Sequence, residues 1–139
     1  MRRSLGTLLL LLAPLVAQAQ AVPAAEAAAV RKVIEAQIDA FRRDDAERAF
    51  SYAAPGIRGM FGTPERFMEM VRTSYAVVYR PHGVTFKAPV RMGADLVQPV
   101  RMIDQEGHGW LVVYPMERQP DGGWRINGCQ LGRLAGQEI

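Results

Sequence analysis

The sequence predicts an α+β fold in which helices pack on one face of a curved antiparallel sheet. Apolar residues recur at helical spacing between about residues 23 and 80, and from Gly83 onward they alternate as in strands. Residues 110–118 and 124–131 are rich in β-branched and aromatic residues. They flank a Pro-Asp-Gly-Gly turn signal, which predicts an antiparallel hairpin. Because the predicted helices precede the predicted strands, the class is α+β.

The first 19 residues have the three parts of a secretory signal peptide. Arg2 and Arg3 precede an apolar run over residues 5–16, and residues 17–19 fit an A-x-A cleavage site. The run is shorter than the roughly 20 residues that a membrane-spanning helix needs. We therefore expect ordinary secretion rather than twin-arginine export, cleavage after Ala19, and a periplasmic or secreted product with no membrane insertion.

Residues 20–139 are predicted to form a single domain, which is long enough to support one core. Loss of Arg2 and Arg3 with the leader leaves 15 basic residues against 14 acidic ones. The basic residues are scattered, whereas a nucleic-acid surface needs a basic stripe with interleaved aromatics, so we expect no nucleic-acid partner. The single cysteine excludes an internal disulfide.

Three helices are expected, and the first follows Pro23. Its apolar stripe has helical spacing and consists of Val30, Val33, Ile34, Ile38 and Phe41. Asp44 or Asp45 can cap a short second helix through Tyr52, because a carboxylate accepts hydrogen bonds from first-turn N–H groups. Residues 57–62 are predicted to be a glycine-punctuated loop.

The third predicted helix begins with Thr63 as its N-cap and Pro64 at the first helical position. Its apolar stripe consists of Phe67, Met70, Val71, Tyr75 and Val78, and Pro81 ends it. Strands are then predicted over residues 84–87 and 96–103. Pro99 interrupts the second of these, which places it at an edge of the sheet or at a bulge.

The register of the final hairpin can be predicted from charge. If residues 120–123 alone formed the loop, Arg118 would face Arg125, and like charges directly opposite destabilise a strand pair. A five-residue turn over residues 119–123 instead places Glu117 across from Arg125, as an ion pair. The same turn places Arg118 across from Trp124, where a cation–π contact is available.

Continued along the strands, this register aligns Cys129 with Val113 and Leu131 with Leu111. We expect these four residues to face the helices, with Cys129 as a buried thiol. Trp110 and Tyr114 then face the other surface, so Tyr114 and Cys129 are not expected to line one cavity.

Several residues give the chain a family resemblance that covers most of residues 20–139. They are Phe41, Asp45, Ala49-Phe50, Ala54-Pro55, Phe67, Met70-Val71, Tyr75, Tyr79-Arg80-Pro81 and residues 122–129. The chain resembles the nuclear-transport-factor-2-like (SnoaL-like) superfamily, and within it an uncharacterised family of small exported bacterial proteins. The resemblance implies a cone in which three N-terminal helices fill the concavity of a curved sheet of about four strands. It implies no activity.

Reactive-residue chemistry has few candidates. A nucleophilic Cys129 would need a base, and the two histidines, His82 and His108, lie in turn-like segments beside glycines. Two isolated histidines and one cysteine do not make a zinc site, so we expect no metal and no cofactor. Glycines recur at positions 56, 59 and 62 without a preceding strand, which does not fit a phosphate-binding loop.

Cofactorless enzymes that resemble ketosteroid isomerase need a carboxylate base and a donor such as tyrosine in a dry pocket. Asp45 is the catalytic candidate for such a lyase or isomerase. Its donor would come from the tyrosines Tyr52, Tyr75, Tyr79 and Tyr114. The alternative is that Asp45 caps a helix and that the tyrosines are core residues.

A ligand pocket at the open end of the cone is the other candidate site. Its predicted lining is Ile57, Met60, Phe61, Tyr52, Tyr75 and Tyr79, a set with the apolar and aromatic character of small-ligand pockets. The sequence thus favours a non-catalytic exported domain that binds a small apolar ligand or a partner protein. The alternatives are the Asp45 lyase or isomerase and a homodimer without a pocket.

Overall fold

The computed structural model describes residues 21–135, so the predicted signal peptide and its cleavage site lie outside the described residues. Within this range five helices precede six strands, which confirms the α+β class. The strands form one curled antiparallel sheet, and the helices pack against it. No helix in this range has the length and apolar content needed to cross a membrane.

The helices are α1 (Ala24–Arg42), α2 (Ala46–Ser51), α3 (Pro55–Phe61), α4 (Pro64–Ser74) and α5 (Ala76–Tyr79). The expected number of three is therefore wrong. Most of the predicted loop is helical as α3, because Pro55 suits the first helical position and Gly62, with φ 77°, ends the helix. The third predicted helix is divided at Tyr75, whose φ of −132° and ψ of 48° are not helical.

The strands are β1 (Gly83–Phe86), β2 (Val90–Met92), β3 (Asp95–Ile103), β4 (Gly109–Arg118), β5 (Trp124–Ile126) and β6 (Gln130–Arg133). They form four rows, because β1 and β2 both pair with one side of β3, while β5 and β6 both pair with the far side of β4. The two central rows are β3 and β4, which pair with each other. The core lies between the inner face of this sheet and the helices.

Pro99 lies in an inner strand, so the expected edge position is wrong, but the expected bulge is present beside it. Phe86 pairs with Val100 whereas Val90 pairs with Val97, so the row of β1 and β2 has one extra residue opposite Gln98. Its carbonyl accepts a hydrogen bond from the Lys87 N–H at 3.0 Å. In an antiparallel ladder the Pro99 N–H would complete this pair by donating to the Lys87 carbonyl, but proline has none. The buried Gln98 side chain supplies the missing donor, since its Nε2 lies 2.7 Å from the Lys87 oxygen. The proline is tolerated because its neighbour replaces the lost hydrogen bond.

The start of the hairpin register is the one predicted from charge. Glu117 pairs with Arg125 and Arg118 pairs with Trp124, and the Arg118 guanidinium lies 5.1 Å from the indole ring centroid. The expected Glu117–Arg125 ion pair is wrong. Within the described residues, the Glu117 carboxylate accepts instead from Gln119 Nε2 at 3.1 Å.

The continuation of that register is wrong by one residue. Asn127 still donates to the Pro115 carbonyl at 2.8 Å, but beyond it Leu131 pairs with Val112. The extra residue is Gly128, whose φ of 135° is open to glycine, and it forms a β-bulge. The strands β5 and β6, which form one row beside β4, therefore differ in register by one residue.

The predicted inward face of β4 is also wrong. Val112, Tyr114 and Met116 are buried against the helices, whereas Leu111 is 38% exposed on the outer face. The cause is the pairing of β4 with β3, which places these residues beside the buried residues of β3: Leu96, Gln98 and Val100. On the same outer face, Val90 and Met92 of β2 are exposed.

Asp104 holds the turn between β3 and β4. Its Oδ2 accepts from Trp110 Nε1, and its Oδ1 accepts from the backbone N–H groups of Glu106 and His108, all at 2.9 Å. The hydrogen bond from Trp110 makes the largest contribution to lowering the pKa of Asp104, to about 2 from 3.8. A lowered folded-state pKa stabilises the folded protein above the unfolded pKa, and this stabilisation is lost as the pH falls through the folded pKa.

We predict that Asp104→Asn is less stable than the parent at neutral pH, because the neutral amide accepts these hydrogen bonds more weakly. The difference should shrink as the pH falls from about 4 to about 2. Urea unfolding of both proteins at a series of pH values measures it. A difference that does not change over this range would contradict the role of the ionised carboxylate.

Candidate functional site

An apolar pocket of about 370 Å³ is the candidate site. It lies between α1, α3 and α4 on one side and the sheet around the Gly128 bulge on the other. Its lining consists of Gln37, Phe41, Ala53, Ile57, Met60, Phe61, Phe67, Met70, Val71, Ser74, Tyr75, Val78, Tyr114, Ile126, Gly128 and Cys129. The volume is near the lower end of the range of about 300–1,000 Å³ for small-ligand pockets.

Helix α3 forms one wall of the pocket. Ile57, Met60 and Phe61 have i, i+3, i+4 spacing, which places them on one face of the helix. The Phe61 ring packs edge-on against Phe67 of α4, with 5.8 Å between ring centroids. Phe67 in turn lies 6.1 Å from Phe41 at the end of α1. The wall is therefore a cluster of aromatic side chains contributed by three helices.

The sheet contributes the opposite wall, where the Gly128 bulge brings Tyr114 and Cys129 into one lining. Extending the register of β6 by one residue places Cys129 beside Tyr114. The expectation that these residues do not share a cavity is therefore wrong. The reason is that β4 faces inward with its even-numbered residues and that Gly128 turns Cys129 inward as well.

Both side chains are neutral groups. Burial raises the pKa of the Cys129 thiol to about 12, so it is a thiol and not a nucleophilic thiolate at neutral pH. Burial also raises the pKa of Tyr114 well above its usual value. The Tyr114 hydroxyl is buried and has no hydrogen-bond partner within residues 21–135, as is also true of two nitrogens of Arg101, which lies on the outer face of the sheet.

Four of the six predicted ligand-binding residues, Ile57, Met60, Phe61 and Tyr75, line the pocket. Tyr52 and Tyr79 do not belong to its lining. The Tyr52 hydroxyl accepts from Arg48 Nε at 3.2 Å, and the Tyr52 carbonyl accepts from the Ile126 N–H at 2.8 Å. Tyr52 therefore joins α2 to β5.

Tyr79 belongs to a polar cluster outside the pocket. Its hydroxyl donates to Asp44, and this hydrogen bond lowers the pKa of the Asp44 carboxyl. The Arg80 guanidinium lies 4.0 Å from the centroid of the Tyr79 ring and 3.0 Å from Asp44 Oδ2, and it also donates to the Phe41 carbonyl. These contacts link the end of α5 to the C-terminal end of α1.

Asp45, the candidate catalytic base, is the N-cap of α2. Its Oδ1 accepts from the Arg48 N–H at 3.1 Å, and the residue is exposed. It is not among the residues that line the pocket. The geometry therefore assigns this carboxylate to helix capping. Groups of three or more potential metal ligands are likewise absent from residues 21–135.

The family model described as "Domain of unknown function (DUF4864)" matches residues 23–139. The chain belongs to this family. The match confirms the expected membership of a family of unknown function. No curated protein and no solved structure matches the chain.

Sequence reasoning missed the pocket residues of the DUF4864 domain that come from the core and the sheet. Phe41, Phe67, Met70, Val71 and Val78 were predicted only as stripe residues of helices. The helical form of α3 was also missed, although Ile57, Met60 and Phe61 have helical spacing despite the intervening Gly59. No comparable signal exists for Tyr114 and Cys129, because their shared orientation depends on a bulge and on pairing with a distant strand.

Proposed function

We propose that this chain is a non-catalytic exported domain that binds a small apolar ligand in the pocket between α1, α3, α4 and the sheet. The observation that carries the proposal is the lining itself: Phe41, Phe61, Phe67, Tyr75 and Tyr114 supply aromatic surface, and Met60 and Met70 supply adaptable surface. Pockets of this kind bind small molecules through buried apolar area and a few polar contacts.

We propose further that the fold is a nuclear-transport-factor-2-like cone with this pocket as its interior. Two features support this. The helices all precede the strands and pack on the inner face of the curled sheet, and the sheet has four antiparallel rows. The pocket lies where the resemblance places the concavity of the cone, between the N-terminal helices and the sheet.

Binding can be tested with Prodan, an uncharged naphthyl ketone whose emission shifts to shorter wavelength in apolar surroundings. We predict saturable binding to the protein purified from the periplasm, with one probe per chain. Ile57→Trp should weaken it by about tenfold or more, because the indole ring occupies the volume beside α3. Fluorescence titration measures both.

Arg58→Trp is the matched control, since Arg58 is the next residue of α3, is exposed and does not line the pocket. This variant should bind Prodan as the parent does. Native mass spectrometry of the same preparation first establishes that no endogenous ligand fills the pocket. Equal loss of binding in both variants, or no saturable binding to the empty parent, would then contradict the proposed site.

A further inference from the structure

The lining of the pocket contains no charged side chain within the described residues. Its polar members are a carboxamide, a hydroxyl, two phenols and a thiol: Gln37, Ser74, Tyr75, Tyr114 and Cys129. In water, phenols and thiols are predominantly uncharged at pH 7. Burial raises the pKa values of Tyr114 and Cys129, which favours the uncharged forms of both groups. The described lining is therefore neutral at physiological pH.

The charged residues of α3 and α4 lie outside the pocket lining. On α3 this is Arg58, and on α4 they are Glu65, Arg66, Glu69 and Arg72; all are exposed, and none lines the pocket. Asp44 and Arg80 pair with each other outside it. An ionised group placed inside the pocket would thus leave water without gaining a counter-ion from the described lining, which is strongly unfavourable.

The few neutral polar groups also limit what an ionised ligand gains. The Gln37 amide is already engaged, since its Nε2 donates to the Ala49 carbonyl at 3.1 Å. Ser74 is exposed at the end of α4, at the rim of the pocket. A carboxylate needs several donors to replace its hydration, and this lining does not provide them.

We propose that the pocket selects uncharged, largely aromatic or aliphatic molecules and rejects ionised molecules of the same shape. This inference rests on the proposed function and adds the chemical class of the ligand. It disfavours, at neutral pH, any carboxylate whose ionised group would lie inside the pocket. It admits hydrocarbons, alcohols and ketones that fit the pocket volume of about 370 Å³.

Methyl 2-naphthyl ketone and 2-naphthoate test the inference, because the methyl group of one replaces a carboxylate oxygen of the other. At neutral pH the ketone should bind at least about 100-fold more tightly than the carboxylate. The affinity for naphthoate should rise about tenfold per unit as the pH falls from about 7 to about 5, because only the protonated acid binds. The ketone affinity should stay constant over this range. Isothermal titration calorimetry measures each value.

Ser74→Arg provides a test of the cause, with Ser74→Gln as its uncharged polar control. The arginine places a cation at the rim and should raise the ratio of naphthoate affinity to ketone affinity by up to about fivefold at neutral pH. The glutamine adds no charge, so this ratio should stay that of the parent even if the new side chain changes both affinities. Parent protein that binds the ketone and naphthoate equally well at neutral pH overturns the inference and leaves the proposed function intact. Failure to bind either the ketone or Prodan overturns both.

Discussion

Replacing Phe41 by alanine should lower the free energy of unfolding by about 3–5 kcal/mol. Phe41 is 1% exposed, and its ring packs against Phe67 and Tyr79 with centroid distances of 6.1 and 6.4 Å. Truncation removes this buried area and enlarges the pocket from the core side, where the neighbouring rings cannot fully collapse. Urea unfolding followed by tryptophan fluorescence measures the change.

Phe50→Ala is the comparison for this prediction. Phe50 packs against the same ring, Phe67, at 5.5 Å, but it is only half-buried. Its truncation should therefore lower stability by clearly less than that of Phe41. Equal losses in the two variants would show that Phe41 has no special position in the core.

Gln98→Met should lower the free energy of unfolding by about 1–3 kcal/mol, although methionine fits the buried site by size. The substitution removes the side-chain amide that donates to the carbonyls of Lys87 and Pro99 at 2.7 and 2.8 Å. The Lys87 carbonyl then loses its donor, because Pro99 has no N–H to offer. Chemical denaturation of parent and variant measures the loss.

A second substitution separates this cause from a general packing effect. Pro99→Val restores a backbone N–H opposite the Lys87 carbonyl, so Gln98→Met should cost less than half as much in that background. A double-mutant cycle over the four proteins gives the coupling between the two positions. A cost that is the same in both backgrounds would contradict the replacement of the missing N–H by Gln98.

Local patterns in the sequence were sufficient for the class and for many element boundaries. The stripe of α1, the Thr63–Pro64 start of α4 and the charge-based pairing of Glu117 with Arg125 all depend on residues close together in the chain, and the structure has each of them. The inward face of β4 was not predictable in this way. Alternation along β4 is apolar on both faces, so only its pairing with β3 decides which side is buried.

The pocket was predicted from one side only. Ile57, Met60 and Phe61 were recognised as apolar residues of a glycine-punctuated segment, and Tyr75 as an aromatic residue of the third predicted helix. The sheet wall requires the one-residue shift at Gly128, and nothing in the local sequence distinguishes that glycine from an ordinary turn residue. The φ of 135° at Gly128 can be inferred only when the pairing of β5 and of β6 with β4 is known.

The wall of the pocket formed by α3 is weakly held in the structure. Among the described helices, α3 is the one without a buried residue, and no side chain caps its first turn. Gly56 and Gly59 each lower helix stability by about 1 kcal/mol relative to alanine. We therefore expect the amide hydrogens of α3 to exchange through local unfolding, well before global unfolding. Ligand binding against this wall should therefore slow amide exchange in α3.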